Sequence, residues 1–295
     1  TIPALISGAV LAGGSIALVN VLLPGLVKRD FPDRIAPMTG LYSMALSGGA
    51  AAAAGGTVPL ERLFGESWAA ALAVWAVPAL AVAALWAPQA MRAGGGASVR
   101  QAGGRALWRS GLAWQVSLYM GLQSALAYCV FGWLAPILRE RGLEAAEAGF
   151  VVTVSVIGQM AASLVAPSLA VVGRDQRLVC VALFGLIVAA FLGCALLPLG
   201  AVWILAALLG LGQGGALGVA LTLILLRAPN AVVAARLSGM AQGVGYTLAA
   251  GGPLLVGLLR QWRGDFSAVP WLFVILGGAG VLAGLGAGRD RLVDG

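Results

Sequence analysis

The chain has 295 residues, of which 60% are hydrophobic and only 10% are charged, and its formal net charge is +7. Soluble domains carry about 25% charged residues, and a soluble fold could not bury this much apolar surface. The composition excludes an ordinary soluble protein and predicts a polytopic membrane protein. The basic residues lie between apolar stretches, which indicates loops that set topology and no nucleic-acid partner.

Histidine is absent, which excludes histidine-based catalysis and most metal sites. The three cysteines, Cys129, Cys180 and Cys194, fall within apolar stretches and have no metal-ligand spacing. No cofactor or metal is expected. A membrane enzyme would need a nucleophile, base or metal ligand at membrane depth, and the sequence offers no such cluster.

Nine stretches are long and apolar enough to cross a membrane as helices. They cover 3–27, 37–58, 68–88, 109–137, 148–172, 178–198, 201–226, 237–259 and 269–288. All the acidic residues fall in the loops or at the ends of these spans.

The segment "VKRDFPDRIAPM" at 27–38 gathers five charges between Lys28 and Arg34. If this loop is cytoplasmic, the sides alternate along the chain and most basic residues face the cytoplasm, as the positive-inside rule requires. The residues after 288 then form a cytoplasmic tail, 289–295. Thr1 would lie outside, so we expect an odd number of helices to precede it.

The chain repeats itself at an offset of 199 residues, which aligns Lys28 with Arg227 and Gly40 with Gly239. The copies lie six spans apart and run in the same direction, a pattern typical of transporters built from two six-helix halves. Three helices are thus predicted before Thr1. Residues 1–88 would complete the first half, 89–108 would form a cytoplasmic linker, and 109–288 would form the second half.

Four segments carry a family resemblance: "LLPGLVKRDFPDRIAPMTGLYSMAL", "GLQSALAYCVFGWLAPILRERGL", "GRDQR" and "GLGQGGALGVALTLILLRAPNAVVAARLSGMAQGVGY". They resemble the cyanate-permease subfamily of the major facilitator superfamily, which includes cyanate and 2-nitroimidazole transporters of bacterial inner membranes. The resemblance implies an all-α integral membrane protein with the major facilitator fold, in which the fourth to twelfth of twelve helices are present. It also implies a secondary transporter that moves a small solute by alternating access.

The superfamily's loop signature is reduced here to Gly173-Arg174-Asp175-Gln176-Arg177. Because such loops gate the cytoplasmic side in the superfamily, the resemblance implies gating roles in this loop and in the charged segment. The candidate gating residues are Arg29, Asp33, Arg34, Arg174, Asp175 and Arg177. The alternative is a pair of solvated loops without a gating role.

Polar side chains inside the bilayer usually face the bundle interior or a wet cavity. Thr39, Ser43 and Ser47 form one stripe, and the repeat aligns them with Ser238, Gln242 and Tyr246. The resemblance favours Gln123, Tyr128 and Trp133 in the span 109–137. The candidate substrate-binding residues are Asn20, Tyr42, Ser43, Gln123, Tyr128, Trp133, Gln159, Gln213, Gln242 and Tyr246. Helix-packing contacts, or an interfacial anchor for Trp133, are the alternatives.

Two glycine series, Gly210-Gly214-Gly218 and Gly280-Gly284-Gly288, predict close helix packing. Substrate and coupling stay open. A cyanate-like anion should require Arg or Lys in the cavity, whereas a neutral heteroaromatic would suit the Gln, Tyr and Trp set. Proton coupling usually needs an intramembrane Asp, Glu or His, which would lie before Thr1 unless the protein is a uniporter. We expect a monomer in the lipid bilayer; the other readings are an exporter of another small organic compound and a non-transporting sensor.

Overall fold

The computed structural model describes residues 2–92 and 104–293, and within those ranges it contains helices and turns but no strand. The helices are α1 (Ile2–Asp30), α2 (Ile35–Leu63), α3 (Trp68–Val74), α4 (Ala76–Arg92), α5 (Gly104–Arg109), α6 (Gly111–Glu140), α7 (Ala145–Ala170), α8 (Arg177–Leu196), α9 (Val202–Arg227), α10 (Ala231–Arg263) and α11 (Val269–Ala287). Most of the predicted linker, residues 93–103, lies outside the described residues.

Eight helical segments in the described ranges are long and apolar enough to cross a membrane. Eight of the nine predicted spans therefore meet both requirements, and the remaining one, 37–58, lies within a helix of 29 residues. Residues 37–58 do lie in a helix, α2, but α2 is rich in Gly, Ala, Ser and Thr and is only weakly apolar. The predicted span 68–88 is helical too, although it divides at Trp75 into α3 and α4.

Contacts divide the chain into two units, one of Thr1–Met44 with Gly103–Gly295 and one of Ala45–Ala102. In the smaller unit, the indole Nε1 of Trp75 donates to Thr57 Oγ1 at 3.2 Å. Ser67 caps α3 by accepting a hydrogen bond from the Ala70 amide. The first contact ties the residue between α3 and α4 to α2, and the second stabilises the start of α3.

In the larger unit, α7 and α9 approach each other at backbone distance along the first glycine series. A Cβ atom on Gly210 would lie 1.9 Å from the Ser155 carbonyl oxygen, and one on Gly214 would lie 2.0 Å from that of Gln159. Only glycine fits at these crossings, so the predicted close packing is confirmed. The second series packs closely against side chains, since a Cβ on Gly280 would lie 2.1 Å from the Phe184 ring.

The first part of the chain packs against α10 and α7. A Cβ on Gly25 of α1 would lie 3.1 Å from Ala235 Cβ of α10, and one on Gly40 of α2 would lie 2.3 Å from the Leu164 carbonyl oxygen of α7. Small residues thus bring α1 and the first turns of α2, up to Met44, close to α10 and α7. The packing of α1 on α10 places Asn20 beside the polar residues of α10.

Candidate substrate site and cytoplasmic gate

The contact between α1 and α10 is built around the backbone carbonyl of Asn20. In a helix this oxygen would accept a bond from the amide four residues later, but that residue is Pro24, which has no N–H. Two side chains of α10 supply the missing donors: Gln242 Nε2 lies 2.8 Å from the Asn20 oxygen, and Ser238 Oγ lies 3.4 Å from it. A polar group released from one helix is thus satisfied by another.

The side chain of Asn20 extends this contact to α2. Tyr42 donates its hydroxyl to Asn20 Oδ1 at 2.9 Å. Asn20 is 8% exposed, so these bonds form away from solvent. One residue of α1 therefore joins three helices through its backbone and its side chain.

The orientation of the Gln242 amide follows from its partners. A carbonyl oxygen only accepts hydrogen bonds, so the Gln242 atom beside the Asn20 oxygen is the amide nitrogen. This nitrogen also donates to Ser238 Oγ at 2.7 Å, which uses both of its hydrogens. The amide oxygen, Oε1, is buried and has no hydrogen-bond partner. Such an acceptor costs about 1–3 kcal/mol and is suited to a donor from a ligand.

The helix lengths indicate that these residues lie near the middle of the membrane. Asn20 precedes the end of α1 at Asp30 by about 15 Å at the helical rise, and Gln242 follows the start of α10 at Ala231 by a similar distance. The hydrocarbon core is about 30 Å thick. Substrate sites of secondary transporters lie at this depth.

Three tyrosines adjoin this contact. Tyr246 lies one turn after Gln242 on α10, and its phenol lies near those of Tyr42 and Tyr128. Tyr128 is 41% exposed, whereas the other two are partly buried. We call the following set the central cluster: Asn20, Tyr42, Tyr128, Ser238, Gln242 and Tyr246.

Other predicted site residues lie outside the central cluster. Gln123 of α6 is buried and donates to its neighbour Ser124 Oγ at 2.7 Å. Trp133 donates its indole N–H to the Pro253 carbonyl at 3.1 Å and so links α6 to α10. Ser43 donates to the Thr39 carbonyl of its own helix, which leaves its hydroxyl hydrogen unavailable to a ligand.

The two remaining amides flank the α7–α9 crossing. Gln159 is 6% exposed, and its backbone contacts Gly214 of α9. Gln213 is 1% exposed, and neither its Nε2 nor its Oε1 has a hydrogen-bond partner. Gln213 therefore offers a buried donor and a buried acceptor together.

At the cytoplasmic end predicted from the charges, Lys28 links α1 to α9. Its ammonium group donates to the Leu225 carbonyl at 2.6 Å and to the Ala228 carbonyl. These oxygens end α9, where the helix dipole favours a positive charge. Sequence reasoning placed Lys28 in the charged segment but did not select it as a gating residue.

The predicted gating residues make local contacts. Arg29 pairs with its neighbour Asp30 at 2.7 Å, and Arg177 pairs with Asp175 at 3.3 Å, all four being solvent-exposed. Exposed pairs of this kind contribute little to stability. Asp33, Arg34 and Arg174 are exposed as well.

Arg227, which the repeat aligns with Lys28, is 2% exposed. Its guanidinium donates to the Ala287 carbonyl at 2.9 Å, to the Gly288 carbonyl at 3.1 Å and to the Gln176 side chain. The backbone N–H of Gln176 in turn donates to the Gly288 carbonyl at 2.9 Å. Arg227 therefore ties the end of α9 to the end of α11 and to the loop before α8. The sequence placed Arg227 in a basic loop, whereas the structure makes it the buried last residue of α9.

The opposite ends of the helices use charges in a similar way. Glu140 pairs with Arg260 at 3.0 Å and accepts a bond from the Phe266 amide at 3.1 Å. Arg141 donates to the carbonyls of Cys194 and Leu197 at the end of α8. The charges here hold helix ends together.

Helices long and apolar enough to span a membrane, with a neutral polar cluster between them, are typical of secondary transporters, and the comparisons with known proteins identify the family. The chain is 36% identical to the uncharacterized transporter YycB of Bacillus subtilis, over 98% of this chain and 72% of that protein. It is 39% identical to the 2-nitroimidazole transporter of Escherichia coli, over 97% and 73% of the two chains. It is 30% identical to the cyanate transport protein CynX of Escherichia coli, over 91% and 69%.

No protein-family model matches the chain. The relatives nevertheless show that the chain belongs to the cyanate-permease subfamily of the major facilitator superfamily. It is a multi-pass bacterial membrane protein that transports a small solute and is not an enzyme. The family resemblance carried by the four sequence segments is thereby confirmed.

Proposed function

We propose that the protein carries a small neutral heteroaromatic compound with an N–H group, of the 2-nitroimidazole kind, through the central cluster by alternating access. The observation that carries this proposal is the buried, unpartnered Oε1 of Gln242. An acceptor in this state gains most from a ligand that brings a hydrogen-bond donor. The ring N–H of an azole is such a donor.

The neutral composition of the central cluster supports the same substrate class. Its members carry amide, hydroxyl and phenol groups. A desolvated anion such as cyanate is costly to bury unless a positive charge or several donors meet it. On α1, the basic residue nearest to Asn20 is Lys28 in the last turn of the helix. Its ammonium group is already bonded to two carbonyls. A cyanate-like anion is the second candidate, because CynX is named as a cyanate transport protein.

The tyrosines would bind the flat face of such a ring. Tyr42 and Tyr246 belong to helices of opposite halves in the predicted repeat, and Tyr128 comes from α6. Aromatic rings prefer offset or edge-on contacts with one another, each worth about 0.5–1.5 kcal/mol. A substrate held between these phenols would draw the two halves together.

Lys28 would act as the cytoplasmic gate in the same cycle. Its bonds to the end of α9 join α1 to a helix of the second half. Opening towards the cytoplasm would require these bonds to break. The gating role predicted for the charged segment would then belong to Lys28, which bonds a helix of the first half to a helix of the second half.

The protein would work as a monomer, since one chain supplies every residue of the central cluster. Protons are the candidate coupling ion. The C-terminus would lie in the cytoplasm, as the distribution of basic residues predicts. A reporter fused after Gly295 that is active only in the cytoplasm tests this orientation, and a pH dye inside liposomes tests proton movement.

Counterflow in liposomes that contain the full-length protein tests the substrate class. One batch is preloaded with 2-nitroimidazole and another with cyanate, and entry of the labelled compound is followed without any driving force. Accumulation of 2-nitroimidazole supports the proposal. Accumulation of cyanate alone would show that the site takes an anion, and accumulation of neither would contradict both candidates.

A further inference from the structure

We propose that Pro24 is a positioning residue for substrate selection: by releasing the Asn20 carbonyl, it holds Gln242 in the orientation that presents Oε1 to a donor. This inference rests on the proposed function, since it concerns how the central cluster distinguishes a substrate with an N–H group from one without. Pro24 is buried within α1 and, as a proline, has no N–H to donate.

The first step in the argument is the hydrogen-bond pattern of α1. A residue with an N–H at position 24 would donate to the Asn20 carbonyl, as every helical residue does to the fourth residue before it. Proline cannot donate, so the oxygen needs another partner because a buried carbonyl without one is costly. Gln242 and Ser238 supply that partner from α10.

The second step is the closeness of the two helices. The Gly25 backbone approaches Ala235 so closely that a Cβ there would lie 3.1 Å from Ala235 Cβ, and one on Gly239 would lie 3.5 Å from Val21 Cγ1. The glycines thus hold α10 within reach of the released carbonyl. The adjacent residues Pro24 and Gly25 have complementary effects. Pro24 leaves the Asn20 carbonyl without a donor in α1, and Gly25 allows α10 to come close.

The third step is what the bond does to Gln242. An amide side chain in a cavity can rotate so that either its oxygen or its nitrogen faces a ligand. Here both hydrogens of Nε2 are used, one on the Asn20 oxygen and one on Ser238 Oγ. The side chain can then present only an acceptor. A ligand with an N–H is accepted, and its N-methylated analogue leaves Oε1 unsatisfied.

Replacing Pro24 by alanine restores the missing N–H. The Asn20 carbonyl is then satisfied within α1, and Gln242 loses the partner that fixes its amide. The preference for an N–H substrate should fall even though Gln242 itself is unchanged. A general structural defect would instead lower the transport of both compounds by the same factor.

The experiment compares 2-nitroimidazole with 1-methyl-2-nitroimidazole in liposomes that contain the full-length protein. We expect the wild type to favour the N–H compound by roughly tenfold, the effect of about one buried hydrogen bond. Pro24→Ala and Gln242→Leu should both bring this ratio close to one. The matched control is Pro167→Ala, which restores an N–H in α7 at another buried proline and should keep the wild-type ratio.

A second measurement does not depend on the substrate. The melting temperature of the purified protein is determined for Pro24→Ala, for Gln242→Leu and for the double variant. If Pro24 directs the Asn20 carbonyl to Gln242, the two substitutions are coupled, and Gln242→Leu costs less in the Pro24→Ala background. Additive shifts would overturn the inference.

The two measurements separate the possible failures. A wild type that discriminates the compounds, with a Pro24→Ala variant that discriminates equally well, leaves the proposed function standing and refutes the role of Pro24. A wild type that transports neither compound contradicts the proposed function. The coupling of melting temperatures then decides the role of Pro24 by itself.

Discussion

Lys28 and Arg227, which stand 199 residues apart at equivalent places in the internal repeat, each put a positive charge on the carbonyl oxygens that end another helix. Lys28 bonds to the end of α9, and Arg227 bonds to the end of α11. The two contacts differ in burial, since Arg227 is enclosed and Lys28 is only partly buried. We infer that the buried Arg227 contact is a permanent structural tie and that the Lys28 contact can open.

Replacing Lys28 by methionine should make the cytoplasmic end open more often, because the carbonyls of Leu225 and Ala228 lose their shared donor. A cysteine introduced at Tyr246 should then react several-fold faster with a membrane-impermeant maleimide applied from the cytoplasmic side. Arg29→Met is the control, since Arg29 pairs only with its exposed neighbour Asp30. Equal rates in the two variants would count against a gate at Lys28.

Replacing Arg227 by methionine should destabilise the protein by about 3 kcal/mol, because it leaves buried carbonyls and the Gln176 side chain without their donor. The measurement is the midpoint of denaturant-induced unfolding in detergent. Arg291→Met, at an exposed position in the tail, should leave the midpoint unchanged. An Arg227→Met protein as stable as the wild type would contradict the structural role.

Replacing Gly214 by alanine should prevent α7 and α9 from packing, because the new Cβ would lie 2.0 Å from the Gln159 carbonyl oxygen. Backbone cannot give way as a flexible side chain does, so we expect a large loss of folded protein in the membrane. Gly243→Ala offers the comparison, since a Cβ on this exposed residue of α10 meets nothing within 4 Å. The readout is the monodisperse fraction in size-exclusion chromatography.

Replacing Gln213 by leucine should raise the melting temperature and lower transport together. The leucine removes two buried groups that lack hydrogen-bond partners, which relieves an energetic cost. If these groups bind substrate, their loss should weaken transport. A more stable variant with wild-type transport would remove Gln213 from the substrate site.

Replacing Tyr42 by phenylalanine tests the link between α1 and α2. The change removes the hydroxyl that donates to Asn20 Oδ1 at 2.9 Å and keeps the aromatic ring. We expect transport to fall several-fold with little change in membrane expression. Tyr128→Phe is the matched variant, because the Tyr128 hydroxyl belongs to a more exposed side chain. Equal effects of both substitutions would argue against a special role for the Asn20 bond.

The sequence predicted the helices well because long apolar stretches leave few alternatives in a membrane. The predicted span 37–58 also lies in a helix, α2, although the small residues of this helix make it only weakly apolar. The repeat identified Ser238 and Gln242 as the equivalents of Thr39 and Ser43. It could not predict that Ser43 bonds within its own helix while Gln242 reaches α1, because helix rotation and neighbours decide that difference.

The charged residues show the same limit. Lys28 and Arg227 follow apolar stretches in the sequence, and such residues usually lie in solvated loops. Their burial depends on where α9 and α11 end relative to their neighbours, which no local pattern specifies. The unpaired carbonyl of Asn20, in contrast, can be predicted from the sequence, because Pro24 lies four residues later and has no N–H. Only its partner on α10 required the structure.

The glycine crossing of α7 and α9 constrains how the transporter can move. Where carbonyl oxygens of one helix touch the backbone of the other, neither helix can turn about its own axis without collision. These two helices must therefore travel as one rigid block during the transport cycle. The displacement that exposes the solute to alternate sides has to occur at contacts made through side chains, such as those of Gln242 and Lys28.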